Sequence, residues 1–406
     1  MSSTVPVVIL KLVSDSLQHG GLAIARSLGR LGTPVYTAYR DQNAAAAQSK
    51  YVTGSFFLTG SIGQPARVLA HLQAISLRVG QRPILIPTDD VAATFVDQHG
   101  QELASAFRFP LQPAGLPMRL TDKGLLDQLC RTTGTPVPEA RFPRSESEFS
   151  AMAAELGFPV VLKSMDPVVL RARPRARSVA LAHDAEEARR LYRAMEVPDA
   201  PNLMLQEYIP GGATSVWMFN GYFDGSSVCR FGITGRKIRQ APPETGATSL
   251  GICSDNEAVR SHAARFLQEI GYRGIVDMGF RYDARDESYR LLDVNPRIGS
   301  SFRLFVDQGG MDVARALYLD LTDQPITTSP VHEGRRWLVE NQDLATSLKL
   351  FRQGKLDLSE WVGSLRDVEE LAWWSRDDLR PFSLMALGTA RDARAALTRR
   401  IFGHSG

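Results

Sequence analysis

The segment LLDVNPRIGSS, residues 291–301, places an acid, an amide and an arginine at the end of an apolar run. Residues two apart in a strand share one face and lie roughly 6.6 to 7 Å apart, so Asp293 and Asn295 can direct oxygen atoms at one cation. Mg²⁺ is usually held by one or two carboxylates together with phosphate oxygens and water. Arg297, just beyond the proline that ends the strand, offers a planar fork that matches phosphate or carboxylate. Taken alone, the segment is equally well explained as an Asn-Pro turn with a solvated arginine.

Three further segments carry chemistry only in combination. Lys163 ends the apolar run GFPVVLK, and Lys123 lies in TDKGLL. Each lysine by itself is more simply explained as a solvated side chain, because lysines are mostly exposed. The segment LQEYIPGG, residues 205–212, predicts a strand that runs into a glycine turn, which is a suitable hinge between two lobes.

The elements that must position these residues begin with a strand–helix–strand alternation. The apolar run from Val7 to Val13 predicts a buried strand, LAIARSLGRLG predicts a helix, and RPILIPTDD repeats the strand further on. This alternation predicts a parallel sheet with packed helices over residues 1–112. The first turn lacks GxGxxG, so the dinucleotide fingerprint is absent. His19, Asp89 and Asp90 fall in loops after the strands, where turn and capping roles are favoured over substrate contact.

Composition limits the classes of partner. The chain has 406 residues, enough for several lobes, and its net charge of +3 gives no indication of nucleic acid or membrane as a partner. The apolar run near the N-terminus is too short to span a membrane and lacks the features of a signal peptide. Three widely spaced cysteines, Cys130, Cys229 and Cys253, predict reduced thiols and a cytoplasmic protein without a cysteine metal site.

The four segments LTDK, GFPVVLK, LQEYIPGG and LLDVNPR, in this order over roughly residues 118 to 310, resemble the ATP-grasp superfamily. DVNPR is similar to the E-x-N-P-R segment of carbamoyl-phosphate synthase. The arrangement most resembles the carboxylate–amine ligases, including D-aspartate ligase-like proteins. The resemblance implies an α/β protein with the ATP-grasp fold. It implies an N-terminal parallel-sheet lobe (1–112), a linker helix with a small α+β lid lobe (113–206), a larger α+β lobe with the metal site (207–325) and a helical C-terminal extension (326–406).

The resemblance also implies a role for each site residue. Lys123 and Lys163 would neutralise the phosphates of ATP. The backbone of Gln206 and Ile209 would bind adenine, Tyr208 would lie in the same hinge, and Glu207 would reach the ribose. Asp293 and Asn295 would hold Mg²⁺ or Mn²⁺, and Arg297 would face the γ-phosphate or an acyl phosphate. Lys237 and Arg239, in GRKIRQAPPETG, would lie near the transferred phosphate, although a solvated basic loop explains them nearly as well.

The sequence departs from the superfamily pattern in three places. The position at which relatives place a first metal-binding side chain is Gly279, so Asp277, on the same strand face, is predicted to substitute for it. A glycine-rich phosphate loop is replaced by a segment with four arginines, which supply charge by side chain or form a basic lid without specific contacts: Arg171, Arg173, Arg175 and Arg177. Thr214 and Ser215 stand where an acidic residue often follows the hinge.

The activity implied is ATP-dependent formation of an acyl phosphate from a small carboxylic acid, followed by attack of an amine, by a protein that forms a homodimer. Two alternatives stay open from the residues. One is an ATP-grasp enzyme that activates an enolate, carbamate or bicarbonate. The other is a nucleotide-binding protein without turnover, which Gly279 and the missing acid near Thr214 favour.

Overall fold

A computed structural model describes residues 4–15, 17–59, 63–165, 178–197 and 201–402, with side chains described as far as residue 394. Three sheets organise the described chain. Among the described helices, none is both long and apolar enough to cross a membrane.

The N-terminal domain, residues 4–112, is built on the predicted parallel sheet. Its strands are β1 (Val7–Lys11), β2 (Val35–Tyr39), β3 (Val52–Phe57) and β4 (Ile84–Pro87), and its helices are α1 (Gly20–Gly29), α2 (Pro65–Val79), α3 (Asp90–Gln98) and α4 (Gly100–Ala104). The order β3-β2-β1-β4 is parallel throughout. All five residues of β1 are buried because helices cover both faces of the sheet.

Two short helices and a small lobe follow. The elements are α5 (Leu116–Thr121), α6 (Lys123–Thr132), β5 (Ala140–Arg141), α7 (Glu146–Leu156), β6 (Val160–Ser164), β7 (Val179–Ala182), α8 (Ala185–Met195) and β8 (Leu203–Glu207). The four strands form an antiparallel sheet in the order β5-β8-β6-β7. Helices α7 and α8 pack on this sheet around Phe149, Leu162 and Leu205. This small lobe therefore has a hydrophobic core of its own.

The large lobe is an antiparallel sheet that carries the predicted metal-binding residues and Lys237. Its elements are β9 (Val216–Phe223), β10 (Cys229–Ala241), β11 (Ala247–Cys253), α9 (Glu257–Glu269), β12 (Gly274–Asp283), β13 (Ser288–Asn295) and α10 (Val313–Leu321). The register of β12 and β13 places Asp277 opposite Asn295, and Gly279 opposite Asp293. The site segment of the sequence is thus the end of a hairpin strand, as the alternation predicts.

The C-terminal extension, residues 326–402, is less separate than the sequence suggests. It contains β14 (Arg336–Leu338), α11 (Glu340–Arg352), α12 (Leu358–Leu365), β15 (Val368–Leu371) and α13 (Arg380–Phe402). Besides the predicted helices, its two short strands join the large lobe to give the seven-stranded order β13-β12-β9-β10-β11-β14-β15. Strands of three and four residues are too short to show a period-2 pattern, which is why the sequence did not indicate them.

Candidate nucleotide and metal site

A cleft of about 380 Å³ opens between the small-lobe sheet and the large-lobe sheet. Val161, Leu181 and Met278 provide apolar walls on its two sides. Eleven of the twelve predicted site residues line it, and these are Lys123, Lys163, Gln206, Glu207, Tyr208, Ile209, Lys237, Asp277, Asp293, Asn295 and Arg297. An apolar slot with polar groups at one end is typical of a small-molecule site.

The acidic end of the cleft is built by the β12–β13 hairpin. The Asn295 Nδ2 atom lies 3.4 Å from the Asp277 Oδ2 atom and 3.4 Å from the Asp293 Oδ2 atom, so the amide bridges the two carboxylates. The carboxylate of Asp293 lies over Gly279, where a side chain on residue 279 would overlap it. The structure therefore brings Asp277, Asp293 and Asn295 together, and Gly279 makes room for Asp293.

Asp277 occupies a tight pocket in the protein. Its carboxylate packs against Gly299, where an added Cβ would lie 2.6 Å from Asp277 Cγ. Burial raises the pKa of Asp277 to about 6, and the positive charge of Arg297 partly offsets this shift. Asn220, directly opposite Asp277 on β9, is fully buried and lowers the pKa of Asp277 by hydrogen bonding. Two adjacent carboxylates, one of them largely desolvated, leave negative charge that a cation would neutralise.

These side chains suit a hard divalent cation. Asp277, Asp293 and the Asn295 carbonyl oxygen are all oxygen donors, the type that Mg²⁺ prefers. Within the described residues there is no group of three or more His, Cys, Asp or Glu side chains that could hold a metal ion without further ligands. The donor set therefore fits a cation that completes its coordination with phosphate oxygens and water.

Three lysines face the acidic end from other elements. Lys163 is 9% exposed, and its Nζ atom lies 3.5 Å from the Leu292 carbonyl oxygen. Burial and, to a smaller extent, the charge of Lys123 lower the pKa of Lys163, Asp293 opposes them, and the resulting pKa is about 8. Burial also lowers the pKa of Lys237, which donates a 2.8 Å hydrogen bond to the Gly246 carbonyl. Buried or partly buried cations that lack a full complement of anions are suited to bind phosphates.

Arg297 links the cleft to the N-terminal domain. Its Nε atom donates to Asp90 Oδ1 at 2.8 Å, and its NH2 group donates to Asn295 Oδ1 at 3.3 Å. Burial lowers its pKa, but the charges of Asp90 and Asp277 outweigh that effect and raise it. Asp90 therefore holds Arg297 in place, a role that its position in the sequence did not indicate. Asp89, by contrast, caps α3 and accepts from the Leu12 amide, as the turn interpretation predicts.

The hinge from Gln206 to Ile209 is held by an arginine that the sequence reading missed. Arg281 donates from Nε to the Ile209 carbonyl and from NH2 to the Gly211 carbonyl, both at 2.6 Å, and its guanidinium lies over the Tyr208 ring. Glu207 accepts a 2.5 Å ion pair from Arg285. The predicted ribose contact of Glu207 would therefore compete with Arg285.

Arg239 does not line the cleft, which corrects its predicted place near the transferred phosphate. Its guanidinium makes a paired contact with Asp343 of the C-terminal extension, at 2.8 and 3.0 Å, and both side chains are buried. Residues two apart normally share a strand face, but the β10–β11 register shifts between Lys237 and Arg239 and again before Gln240. This irregularity, which sequence alternation cannot show, turns Arg239 away from Lys237.

The four-arginine segment and His19, both noted in the sequence, are not among the described residues that line the cleft. Arg171, Arg173, Arg175 and Arg177 lie outside the described residues. His19 is buried against Trp337 and Trp373, and burial lowers its pKa to about 4. Its ring therefore packs in the core rather than lining the cleft.

The sequence did not predict the site roles of Arg281 and Asn220 or the contact of Asp90 with Arg297, and the reason is the same for all three. Arg281, Asn220 and Asp90 act through contacts with residues 72, 57 and 207 positions away, respectively. Arg281 lies two residues after Gly279 on the same strand, and this shared strand face was a usable signal. For Asn220 and Asp90 the sequence offered no spacing that connects them to the site.

Comparison with known protein families and curated proteins gives consistent matches. Residues 233–318 match the family model described as carbamoyl-phosphate synthase L chain, ATP binding domain. The chain is 26% identical over 315 residues to a D-aspartate ligase from Enterococcus faecium, a match covering 75% of this chain and 74% of that protein. It is 25% identical over 208 residues to the N-terminal section of the carbamoyl phosphate synthase large chain from Methanopyrus kandleri. That match covers 49% of this chain and 35% of the synthase section.

Solved structures give the same fold at low identity. The ADP complex of an N5-carboxyaminoimidazole ribonucleotide synthetase has a TM-score of 0.62 and 13% identity, with 87% of each chain covered. The biotin carboxylase domain of the Hydrogenobacter thermophilus 2-oxoglutarate carboxylase, in complex with MgADP and bicarbonate, has a TM-score of 0.61 and 16% identity, with 82% of this chain and 74% of that chain covered. These likenesses confirm the predicted architecture.

Proposed function

Because the chain has the ATP-grasp fold and is similar in sequence to ATP-grasp ligases, we propose that it is an ATP-dependent ligase that joins a small carboxylic acid to an amine. ATP phosphorylates the acid to an acyl phosphate and ADP, and the amine then displaces phosphate to leave an amide. The curated D-aspartate ligase relative supports this reaction class over the other ATP-grasp chemistries.

One observation carries the proposal: a single cleft combines an acidic end with buried and partly buried cations. Asp277 and Asp293 face Lys163 and Lys237 across the space that a triphosphate would occupy. Phosphoryl transfer depends mainly on positioning and on charge neutralisation, and a cleft with fixed charges of both signs provides these. The two partly buried carboxylates favour turnover over nucleotide binding alone, because they can hold a cation beside the phosphate that is transferred.

The residues act on successive stages of the reaction. The backbone of Gln206 and Ile209 holds the adenine, and Lys123 and Lys163 hold the phosphates. Lys237 and Arg297 neutralise charge as the γ-phosphoryl group moves to the substrate carboxylate oxygen and its bond to ADP breaks. The amine then attacks the acyl carbon, phosphate leaves, and the amine proton passes to phosphate or solvent. Burial of Lys237 and Arg297 strengthens their interaction with the phosphoryl group.

Asp277, Asp293 and Asn295 would hold Mg²⁺ beside the phosphates. When bound, the cation neutralises the negative charge of phosphate oxygens and aligns them for transfer. Asn295 keeps the two carboxylates in place through its amide nitrogen, and its carbonyl oxygen accepts from Arg297.

The test is substrate-dependent ADP formation with ATP, Mg²⁺ and pooled acids and amines, followed by mass spectrometry of the products. D-aspartate heads the acids because a relative is a D-aspartate ligase. Amide product with one ADP per bond supports the proposal. ADP formation that requires bicarbonate without an added carboxylic acid indicates the alternative chemistry, and tight ATP binding without turnover by any pair indicates a binding protein. The homodimer stays a prediction, which light scattering checks.

A further inference from the structure

Asp343, in the C-terminal extension, is the centre of a buried polar cluster. It accepts two hydrogen bonds from Arg239, a 3.1 Å bond from Ser249 Oγ and a 3.2 Å bond from Trp361 Nε1. Asp343 is 1% exposed and Arg239 is 6% exposed. A buried carboxylate with several donors is held in one orientation, and it fixes the groups that donate to it.

Two of these donors flank a hairpin of the nucleotide cleft. Arg239 lies near the end of β10 and Ser249 near the start of β11. Between and beside them, Gln240, residues 244–248 and Lys237 line the cleft. Asp343 therefore contacts the hairpin behind the cleft at one point on each strand.

The position of Lys237 depends on the shape of this hairpin. Its ammonium donates to the Gly246 carbonyl at 2.8 Å and lies 3.4 Å from Gln240 Oε1, so its polar contacts are with the hairpin itself. The β10–β11 pairing is irregular between Lys237 and Gln240, and there the Arg239 side chain points out of the hairpin towards Asp343. An irregular strand needs a contact that fixes it, and the Arg239–Asp343 pair is placed where the register changes.

We infer that Arg239 and Asp343 are positioning residues, through which the C-terminal extension holds Lys237 against the terminal phosphates of the nucleotide. The inference rests on the proposed ATP-dependent function and deepens it, because it assigns the extension a role in that site. The adenine hinge, Gln206–Ile209, has no part in this contact. Loss of the pair therefore weakens phosphate binding and phosphoryl transfer and leaves adenine binding unchanged.

The experiment compares Asp343→Asn with Asp378→Asn in the full chain. Asp378 pairs with Arg26 at 2.9 Å, and this pair is as buried as the pair of Arg239 with Asp343. It connects the same extension to α1, away from the cleft hairpin. Calorimetry gives the Kd of ATP and of AMP with Mg²⁺ for each variant, and thermal unfolding gives its stability. The AMP-to-ATP ratio of Kd isolates the contribution of the terminal phosphates.

For Asp343→Asn we expect the ratio to fall about tenfold, because ATP binds more weakly while the affinity for AMP is unchanged. For Asp378→Asn we expect a lower Tm but a wild-type ratio. If Asp343→Asn does not fold, the double variant Arg239→Met/Asp343→Met removes both buried charges together and has the same expected ratio. A wild-type ratio in the Asp343 variants overturns the inference, as does an equal fall in Asp378→Asn. Wild-type protein that binds ATP no more tightly than AMP overturns both the inference and the ATP site. Tight ATP binding without turnover rejects only the ligase proposal.

Discussion

Replacing Gly279 by alanine tests whether the missing side chain at this position is a defect or a requirement. Ordinary van der Waals contact begins at a separation of 3.4 Å, and an added Cβ at residue 279 would approach Asp293 Oδ1 more closely than this. The overlap is about 1 Å or more. The Asp293 carboxylate lines the open cleft and must move by at least about that distance. A misplacement of about 1 Å at a reacting group costs roughly 100-fold in rate. We therefore expect kcat to fall roughly 100-fold, with Mn²⁺ affinity in the presence of ADP reduced about tenfold.

The assay measures kcat by ADP release and Mn²⁺ binding by electron paramagnetic resonance. The matched control is Gly225→Ala, because an added Cβ there meets nothing within 4 Å and the turn lies away from the cleft. Thermal unfolding shows whether the Gly279 variant retains its fold. A kcat within threefold of wild type, with unchanged Mn²⁺ affinity, would refute the argument that Asp293 must occupy the space over Gly279.

Three other perturbations have defined outcomes. Asp293→Asn should reduce kcat at least about 100-fold and leave the Tm close to wild type. The change removes the negative charge of the carboxylate beside the phosphates but keeps the shape of the side chain. Arg281→Met should raise the KM for ATP about tenfold with little effect on kcat, since it removes two charge-assisted bonds to the hinge carbonyls. His19 should make stability pH-dependent. Its pKa is about 4 in the folded protein and 6.5 when unfolded, so the unfolded chain binds the proton first and stability falls as the pH drops from about 6.5 towards 4. Between pH 7.5 and 5, wild type should lose about 2 kcal/mol more unfolding free energy than His19→Phe, measured with urea.

Each of these has its own control. Activity of Asp293→Asn near the wild-type level would remove the metal assignment. Arg285→Met is the control for Arg281, because the Arg285 pair with Glu207 is half exposed and should change KM less than threefold. An equal effect of the two arginine variants would count against the hinge role. Parallel pH curves for wild type and His19→Phe would show that the imidazole is not buried in a neutral form.

The sequence alone determined the local chemistry of this protein. Alternation along one strand placed Asp293 and Asn295 on one face, and the apolar runs predicted the parallel N-terminal sheet and the strand that presents Lys163. These are short-range consequences of backbone geometry, since side chains two apart in a strand must share a face. The order of the four motifs was enough to indicate the fold class.

The tertiary structure decided which of those residues meet and which do not. An irregularity in the β10–β11 ladder sends Arg239 to Asp343, although its spacing from Lys237 predicts the same face. The contact between Arg297 and Asp90 joins residues 207 positions apart. Such outcomes depend on the pairing of strands and on the packing of domains, where buried charges must find partners from distant segments. A linear pattern carries no record of those partners, and only the folded chain brings them together.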